Sequence, residues 1–399
     1  MRQEGLWKEL VDAHCHPTDD PLLRLEPQAH SAHDNAFDTS CGIDLDALAK
    51  RLLDAEIGMA CIMSTSTADQ ELVAGLAARC GPARITPAFG HHPWFVHRIT
   101  VQEDPMPSKV DHYKMLFPDP PCLDGDGENG ISELDLIMPG LPDPLPLSQV
   151  LKDLRSNLER YPHAILGEVG IDKSFRLPFS PESLELLDGL EDGKRQKTHH
   201  EVSNHGLPKR RLSRLQTPLA HQMYVLKAQI DVAVSLRRPV SFHSVRAAGA
   251  TIDLLRELCS DFPRGWNDTP GFQSANLALH SCTISAEGIR QIQQVHANVY
   301  VSFSTTINAR QKGLGEQIEA CDPDRLLSES DWHIAEGLAD HVWGVVDMFC
   351  ASERLERHLS LQDLSTGEKR SEVVAMLKRN WHRFLRGRIE ELGDESWAI

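Results

Sequence analysis

Residues 10–20 read LVDAHCHPTDD, and this stretch decides the fold because it joins a buried strand to a set of polar side chains. An apolar pair, typical of the end of a buried strand, leads into Asp12, His14 and His16 at every second position. Alternation along a strand places all three side chains on one face. Two neutral imidazoles on one face can bind a divalent metal, and a nearby carboxylate can orient their rings. A pair of strand histidines with ordinary hydrogen bonds explains so short a motif equally well, so the rest of the chain must decide.

Composition limits the class of protein. The chain has 399 residues, 41% of them hydrophobic, and a formal net charge of -17 at pH 7. This length allows two average domains or one large α/β barrel with insertions. The negative charge excludes a surface coated in positive charge for gripping duplex nucleic acid, but it leaves room for a local phosphate site. Without a secretory leader or a bilayer-spanning apolar run, we expect a cytoplasmic or nuclear protein with no membrane partner.

Short apolar runs alternate with helical patterns along the chain. The predicted strands are 10–16, 59–64, 85–89, 164–172, 239–243, 275–280, 299–303 and 325–331. The predicted helices are 44–56, 70–80, 148–161, 219–236, 248–259, 287–296 and 371–385. This alternation favours an α/β fold, a (β/α)8 TIM barrel, over an open doubly wound sheet. Neither GxGxxG nor a Walker sequence occurs in its required context, which argues against a nucleotide-binding fold.

Two irregular segments interrupt the barrel pattern. Residues 97–147 are acidic and rich in Pro and Gly, and residues 176–217 contain the basic words KRQK (194–197) and PKRRLSR (208–214). We expect one barrel domain over residues 1–399, with both segments as flexible insertions. The functional alternatives are an acidic docking surface in the first segment and a nuclear address or an RNA-binding strip in the second.

Imidazoles and carboxylates lie at the carboxyl ends of most predicted strands, where a barrel places its chemistry. Any one of these residues, taken alone, could simply be a buried polar side chain with its hydrogen bonds satisfied. A charged group in a buried strand is costly unless it is paired or bound to a metal. Together they supply the ligands of a two-metal hydrolase, whose ions lie ~3.5–4 Å apart. Glu168 is the expected bridging carboxylate, and Asp331 can bind one ion and accept a proton from the attacking water. In strand order the residues are His14, His16, His92, Glu168, Asp172, His243, His280 and Asp331.

The ordered motifs resemble those of TatD-type metal-dependent deoxyribonucleases of the amidohydrolase superfamily. This resemblance implies a barrel with two divalent ions (Mg, Mn or Zn) that hydrolyses phosphodiester bonds as a 3′–5′ exodeoxyribonuclease. It also implies a ligand set: His14, His16, Glu168 and Asp331 for one ion, Glu168, His243 and His280 for the other, and His92 as a catalytic neighbour. The matching words are DAHCH (12–16), GHHP (90–93), GEVGID (167–172), PVSFH (239–243), the strand of His280 and ESD (329–331), with Gln222 before the fifth strand.

The resemblance extends to a eukaryotic branch described as interactors of a tetratricopeptide subunit of the anaphase-promoting complex, through GIDKSFRLP (170–178). Two arginines that would bind substrate, Arg246 and Arg176, each stand one position later than in the family pattern. The last motif continues as Trp-His rather than Ala-Pro. We expect Asp12 and Asp172 to support the ligands without binding a metal directly.

Two other functions fit the same residues. The metal site can serve another ester or amide, because one barrel supports many hydrolyses. The barrel can also act mainly as a binding partner of a helical-repeat cell-cycle protein, with the insertions as docking surfaces. The acidic insertion after the third strand can restrict the access of a polyanion. The metal site is therefore predicted more firmly than the substrate.

Overall fold

The computed structural model describes residues 5–20, 43–123, 131–180, 183–185, 187, 211–261 and 275–386. Within them, eight strands pair in chain order and in parallel to form one sheet. Almost every strand residue is buried, as expected for a sheet that helices cover. The predicted (β/α)8 barrel is confirmed. Its strands are β1 (Val11–Cys15), β2 (Met59–Met63), β3 (Ile85–Phe89), β4 (Ile165–Asp172), β5 (Val240–Val245), β6 (Leu277–Leu279), β7 (Val299–Ser304) and β8 (Leu326–Glu329).

Helices surround the sheet and bury their apolar faces against it. Local sequence signals fix several of their ends: Ser66 and Asp69 form a capping box before the second helix, and Gly81 follows its last residue. None of the described helices is long and apolar enough to cross a bilayer. The helices around the barrel are Leu45–Asp54, Thr67–Cys80, Leu147–Arg160, Leu219–Ser235, Ala248–Asp261, Ala286–Val295, Thr305–Asn308, Leu314–Ala320, Leu338–Cys350, Glu353–His358 and Thr366–Arg386.

The helix Leu338–Cys350 lies in a region to which the sequence analysis assigned no structure. Its helix propensity is weakened by Gly344 and by valines. A Cβ at Gly344 would lie 2.6 Å from the Thr305 side chain, so glycine is required for the close approach of this helix to the end of β7. Packing therefore overrides propensity here.

The barrel closes where β8 meets β1. The Asp331 N–H donates to the His14 carbonyl at 2.9 Å. The buried Asp12 carboxylate accepts from the backbone N–H groups of Ser330, at 2.9 Å, and of His14, at 3.2 Å. Burial raises the pKa of Asp12 and outweighs the opposing effect of these hydrogen bonds, so that the pKa is about 7. Asp12 thus holds the backbone beneath the strand ends and makes no hydrogen bond to the His14 ring.

Asp12→Ala is expected to lower the free energy of unfolding by about 1–3 kcal/mol, because two buried N–H groups lose their acceptor. Asp12→Asn keeps an acceptor oxygen and is expected to lose less. Urea denaturation of the wild type and both variants, in chelator, measures the difference. Equal stability of the Ala variant and the wild type would show that Asp12 does not secure this closure.

The two insertions pack together into one unit, which we call the cap and define as the described residues of 97–147 and 176–217. Its helices are Lys109–Leu116 and Glu133–Ile137, and a two-residue strand pair joins Ile99–Thr100 to Leu145–Pro146. This is more regular structure than its composition predicts, because each insertion supplies part of a shared apolar cluster. That cluster contains Tyr113, Leu116, Phe117, Leu134, Leu136, Ile137, Leu177, Phe179, Leu187 and Leu215.

Polar contacts also join the insertions. The buried Glu133 carboxylate accepts from the backbone N–H and the Nε of Arg214, at 2.6 and 2.8 Å. Backbone bonds join Leu177 to Leu215 and Phe179 to Arg211. The flexibility expected of both segments stays a prediction. The KRQK word and the first residues of PKRRLSR lie outside the described residues.

Candidate metal centre

The histidines and carboxylates predicted at the strand ends converge on Glu168, near the middle of β4. One oxygen of this buried carboxylate, Oε1, lies 2.7 Å from His243 Nδ1 on β5 and 2.7 Å from His280 Nε2 after β6. The Nε2 of His92, after β3, is 3.2 Å from the same oxygen. Three strand ends thus meet one side of Glu168.

The other carboxylate oxygen of Glu168, Oε2, faces the end of β1. It lies 3.1 Å from His16 Nε2 and 3.4 Å from His14 Nε2. Asp331, two residues after the end of β8, places Oδ1 3.8 Å from His16 Nε2 and 3.9 Å from His14 Nε2. The two oxygens of Glu168 therefore serve two different groups of side chains.

The donor set fits bound cations. His14 Nε2 and His16 Nε2 are 3.1 Å apart, and so are His243 Nδ1 and His280 Nε2. Two ring nitrogens this close need a proton or a cation between them, because neutral lone pairs repel. No lysine or arginine among the described residues donates a hydrogen bond to Glu168. Three overlapping groups could hold a metal ion: His14, His16 and Glu168; His92, Glu168 and His243; and His14, His280 and Glu329.

The electrostatics also indicate a site for positive charge. Burial would raise the pKa of Glu168, but the imidazoles of His92, His280 and His14 hold it well below its usual range. Burial likewise would lower the pKa of His16 and of His280. Contact with Glu168 outweighs it and raises the pKa of His16 to about 9 and that of His280 well above its ordinary value. Glu168 therefore favours positive charge at these two rings, which is the charge that a bound divalent ion would supply.

His92 differs from the other imidazoles. The backbone N–H of Trp94 donates to His92 Nδ1 at 3.1 Å, so in the neutral ring the proton sits on Nε2 and points at Glu168. Burial lowers the pKa of His92 to about 4 despite the charge of Glu168, which keeps the ring neutral near pH 7. His92 is therefore suited to donate a hydrogen bond rather than to bind a metal through Nε2.

Three side chains around the ligand rings, those of Ser241, Ser281 and Glu329, were not predicted as site residues from the sequence. Ser241 Oγ lies 2.9 Å from His14 Nδ1 and can fix the tautomer of that ring. Glu329, fully buried at the end of β8, places Oε1 3.8 Å from His280 Nδ1 and accepts from the N–H and Oγ of Ser281 at 2.6 and 2.7 Å. Strand alternation was the available signal for Glu329, since it precedes Asp331 by two residues.

Glu329→Gln is expected to weaken metal affinity or activity by about 10- to 100-fold, as is typical when the partner of a ligating histidine is changed. The amide keeps the shape but removes the charge that faces His280. Titration of chelator-treated protein with Mn²⁺ measures the effect, with the exposed Glu372→Gln as control. An unchanged affinity would assign Glu329 to packing alone.

Asp172 and Gln222 support the end of β4. Asp172 Oδ2 lies 3.5 Å from His243 Nε2 and accepts from Trp94 Nε1 at 2.6 Å. The buried side chain of Gln222 makes two hydrogen bonds to the Asp172 backbone. Its Oε1 accepts from the N–H and its Nε2 donates to the carbonyl, each at 2.9 Å. The contacts of Asp172 fit the supporting position that the sequence predicts.

The two predicted substrate arginines lie outside this cluster. Arg176 and Arg246 are exposed on the loops after β4 and β5. The Lys173 N–H donates to the Val245 carbonyl at 3.1 Å, so the two loops run side by side there. Within the described part of the chain neither arginine makes a hydrogen bond to the histidine cluster.

The sequence model of the TatD related DNase family matches residues 11–337, most of the chain. The chain belongs to this family. The expected family is thereby confirmed, and with it the class of metal-dependent hydrolases.

Two relatives resemble the chain over most of its length. Cut9-interacting protein scn1 of Schizosaccharomyces pombe is 28% identical over 359 residues, which are 84% of this chain and 90% of that protein. An uncharacterized deoxyribonuclease of Saccharomyces cerevisiae is 26% identical over 332 residues, 82% of this chain and 84% of the yeast protein.

Two solved structures share the fold. The TatD homolog YJJV of Escherichia coli superposes with a TM-score of 0.51 at 16% identity, covering 95% of this chain and 98% of that one. A TatD family hydrolase of Entamoeba histolytica gives a TM-score of 0.52 at 12% identity, covering 94% and 97%. At such identities the likeness concerns the barrel alone.

Proposed function

We propose that this protein hydrolyses DNA phosphodiester bonds as a 3′–5′ exonuclease with two divalent metal ions. The observation that carries the proposal is the position of Glu168, whose two oxygens face two separate groups of imidazoles. His14, His16, Glu168 and Asp331 would hold one ion, and Glu168, His243 and His280 the other. Ions in such sites supply Lewis-acid activation of the phosphoryl group and of the attacking water.

The chain's own residues supply the proton transfer and the orientation. Asp331 is 15% exposed at its side chain, and its Oδ2 lies 3.1 Å from Ser281 Oγ. The attacking water forms the new bond to phosphorus and gives its proton to this carboxylate, while the bond from phosphorus to the leaving oxygen breaks. The leaving oxygen takes a proton from solvent. His92, neutral and protonated on Nε2, orients Glu168.

Substrate binding falls to the exposed Arg176 and Arg246 at the mouth of the barrel. With a net charge of -17 the protein as a whole repels a polyanion, so local cations must guide the phosphates. The two cap segments follow β3 and β4, so we expect a chain end to reach the metal centre more readily than the middle of a duplex.

The experiment combines metal analysis with a nuclease assay. Protein purified without chelator is expected to contain two metal equivalents per chain and to shorten a 5′-labelled oligonucleotide from its 3′ end. His14→Ala abolishes this, whereas the exposed His358→Ala does not. Equal activity of the wild type and the His14→Ala variant contradicts the proposal. Turnover of acyl esters or amides without turnover of DNA assigns the site to another substrate.

We also propose that the cap binds a helical-repeat protein partner, in the cytoplasm or the nucleus. The support is the name of the fission-yeast relative and a set of exposed apolar side chains on the cap: Met106, Val110, Met115, Ile131 and Leu212. Met115→Glu or Leu212→Glu is expected to release the partner in a pull-down, while His14→Ala retains it. Release by the metal-site variant alone contradicts a docking role for the cap.

A further inference from the structure

A pair of stacked aromatic rings lies at the mouth of the barrel, outside the metal centre. Trp94 follows β3 in the word GHHPW and is 41% exposed. Its ring lies on that of Phe175, with the centroids 5.0 Å apart and an angle of 14° between the planes. Phe175 packs in turn against the apolar cluster of the cap. The indole is therefore supported on one face by a ring that is itself anchored, while much of the residue stays open to solvent.

This pair is tied directly to the histidine cluster. Trp94 Nε1 donates to Asp172 Oδ2 at 2.6 Å, and Asp172 lies 3.5 Å from His243. The Trp94 ring also contacts the His92 ring edge to face, with centroids 4.8 Å apart. These contacts fix the plane of the indole one side chain away from the groups around Glu168. An exposed, rigid and apolar surface so close to a charged centre calls for a ligand with both a flat face and an anionic group.

We propose that Trp94, supported by Phe175, is a stacking surface for the nucleobase next to the phosphate that is hydrolysed. This inference rests on the proposed DNA hydrolysis and adds to it the recognition of an unpaired end. Base stacking on an aromatic ring tolerates every sequence because each base has a flat π face. A base inside a duplex is already stacked on its neighbours, so single-stranded or frayed 3′ ends are the preferred substrates.

A different role for Trp94 makes a different prediction. If the indole only positions Asp172 through its N–H, loss of that donor impairs every substrate equally. Trp94→Phe removes the N–H and keeps a ring that can stack, whereas Trp94→Ala removes both. The two variants, tested on substrates with and without a base, therefore separate stacking from positioning.

The test uses a single-stranded oligonucleotide labelled at its 5′ end and the same oligonucleotide with two abasic residues at its 3′ end. With the normal substrate, Trp94→Ala is expected to raise KM about 5- to 100-fold, which is the range typical of losing one stacked base. With the abasic substrate, the wild type and this variant are expected to agree within about threefold. Trp94→Phe, which keeps a ring, is expected to raise KM on the normal substrate less than Trp94→Ala does. Tyr224→Ala, which removes an exposed aromatic ring from an outer helix, is expected to match the wild type on both substrates.

Binding supplies a second readout that is independent of turnover. Fluorescence anisotropy in chelator measures the affinity of each variant for both oligonucleotides. Equal losses by Trp94→Ala on normal and abasic DNA, or a Phe variant as impaired as the Ala variant, overturn the stacking surface. A wild type that hydrolyses neither substrate contradicts the proposed function, and anisotropy then still decides the stacking surface: affinity that does not depend on the 3′ bases rejects it.

Discussion

Asp331→Asn is expected to lower the rate of DNA hydrolysis by about 10²- to 10⁴-fold, the usual contribution of a general base. Asparagine has nearly the same shape but cannot accept the proton of the attacking water. The backbone also tolerates the change: Asp331 adopts a left-handed conformation with φ of 50°, which asparagine accepts better than most residues. The fold should therefore remain, and kcat on a labelled oligonucleotide should report the chemistry.

A matched control is Asp363→Asn, which removes an exposed carboxylate from a turn far along the chain. This variant is expected to keep the wild-type kcat. Circular dichroism and the urea midpoint of the Asp331→Asn variant should match those of the wild type. A kcat within about threefold of wild type for the Asp331→Asn variant would mean that another group takes the proton.

Glu168→Gln is expected to remove most of the bound metal and to lower hydrolysis by at least about 10²-fold, the scale of losing one preorganised electrostatic contact. A single carboxylate faces both groups of imidazoles, so its replacement by a neutral amide affects both at once. Metal analysis after gel filtration should show fewer than two equivalents per chain. Added Mn²⁺ should raise the melting temperature of the wild type more than that of the variant, because only ions that bind the folded state stabilise it.

The control for this prediction is Glu287→Gln, whose carboxylate is 85% exposed. It should bind metal and melt like the wild type. If Glu168→Gln instead retained full metal content and activity, the central position of this carboxylate would have no functional meaning, and the two-metal proposal would have to be abandoned.

The order of the strands and the identity of the converging side chains were predictable from the sequence. A parallel strand buried on both faces is a short apolar run, and its carboxyl end carries the polar residues. That rule alone indicated that His14, Glu168 and His243 lie together. In the structure both imidazoles lie beside the Glu168 carboxylate.

Contacts between segments distant in the chain were not predictable in the same way. The hydrogen bond between Trp94 and Asp172 joins the loop after β3 to the end of β4, and neither position suggests the other. The backbone of Ser281 has a positive φ of 38°, a conformation that a glycine in the sequence would usually indicate. Because the residue is serine, the sequence did not predict the turn that brings its N–H to Glu329. Pairing of the two insertions was hidden because each one alone lacks enough apolar residues for a core.

The shared apolar cluster of the cap has a consequence for modularity. The described parts of residues 97–147 and 176–217 are separate in sequence but form one packed unit, because their apolar side chains share a cluster and Glu133 of the first segment accepts from Arg214 of the second. Truncation of either segment would expose the apolar surface of the other segment and would favour aggregation. Chimaeras with other barrels should therefore transplant both segments together, cut where each rejoins the strands.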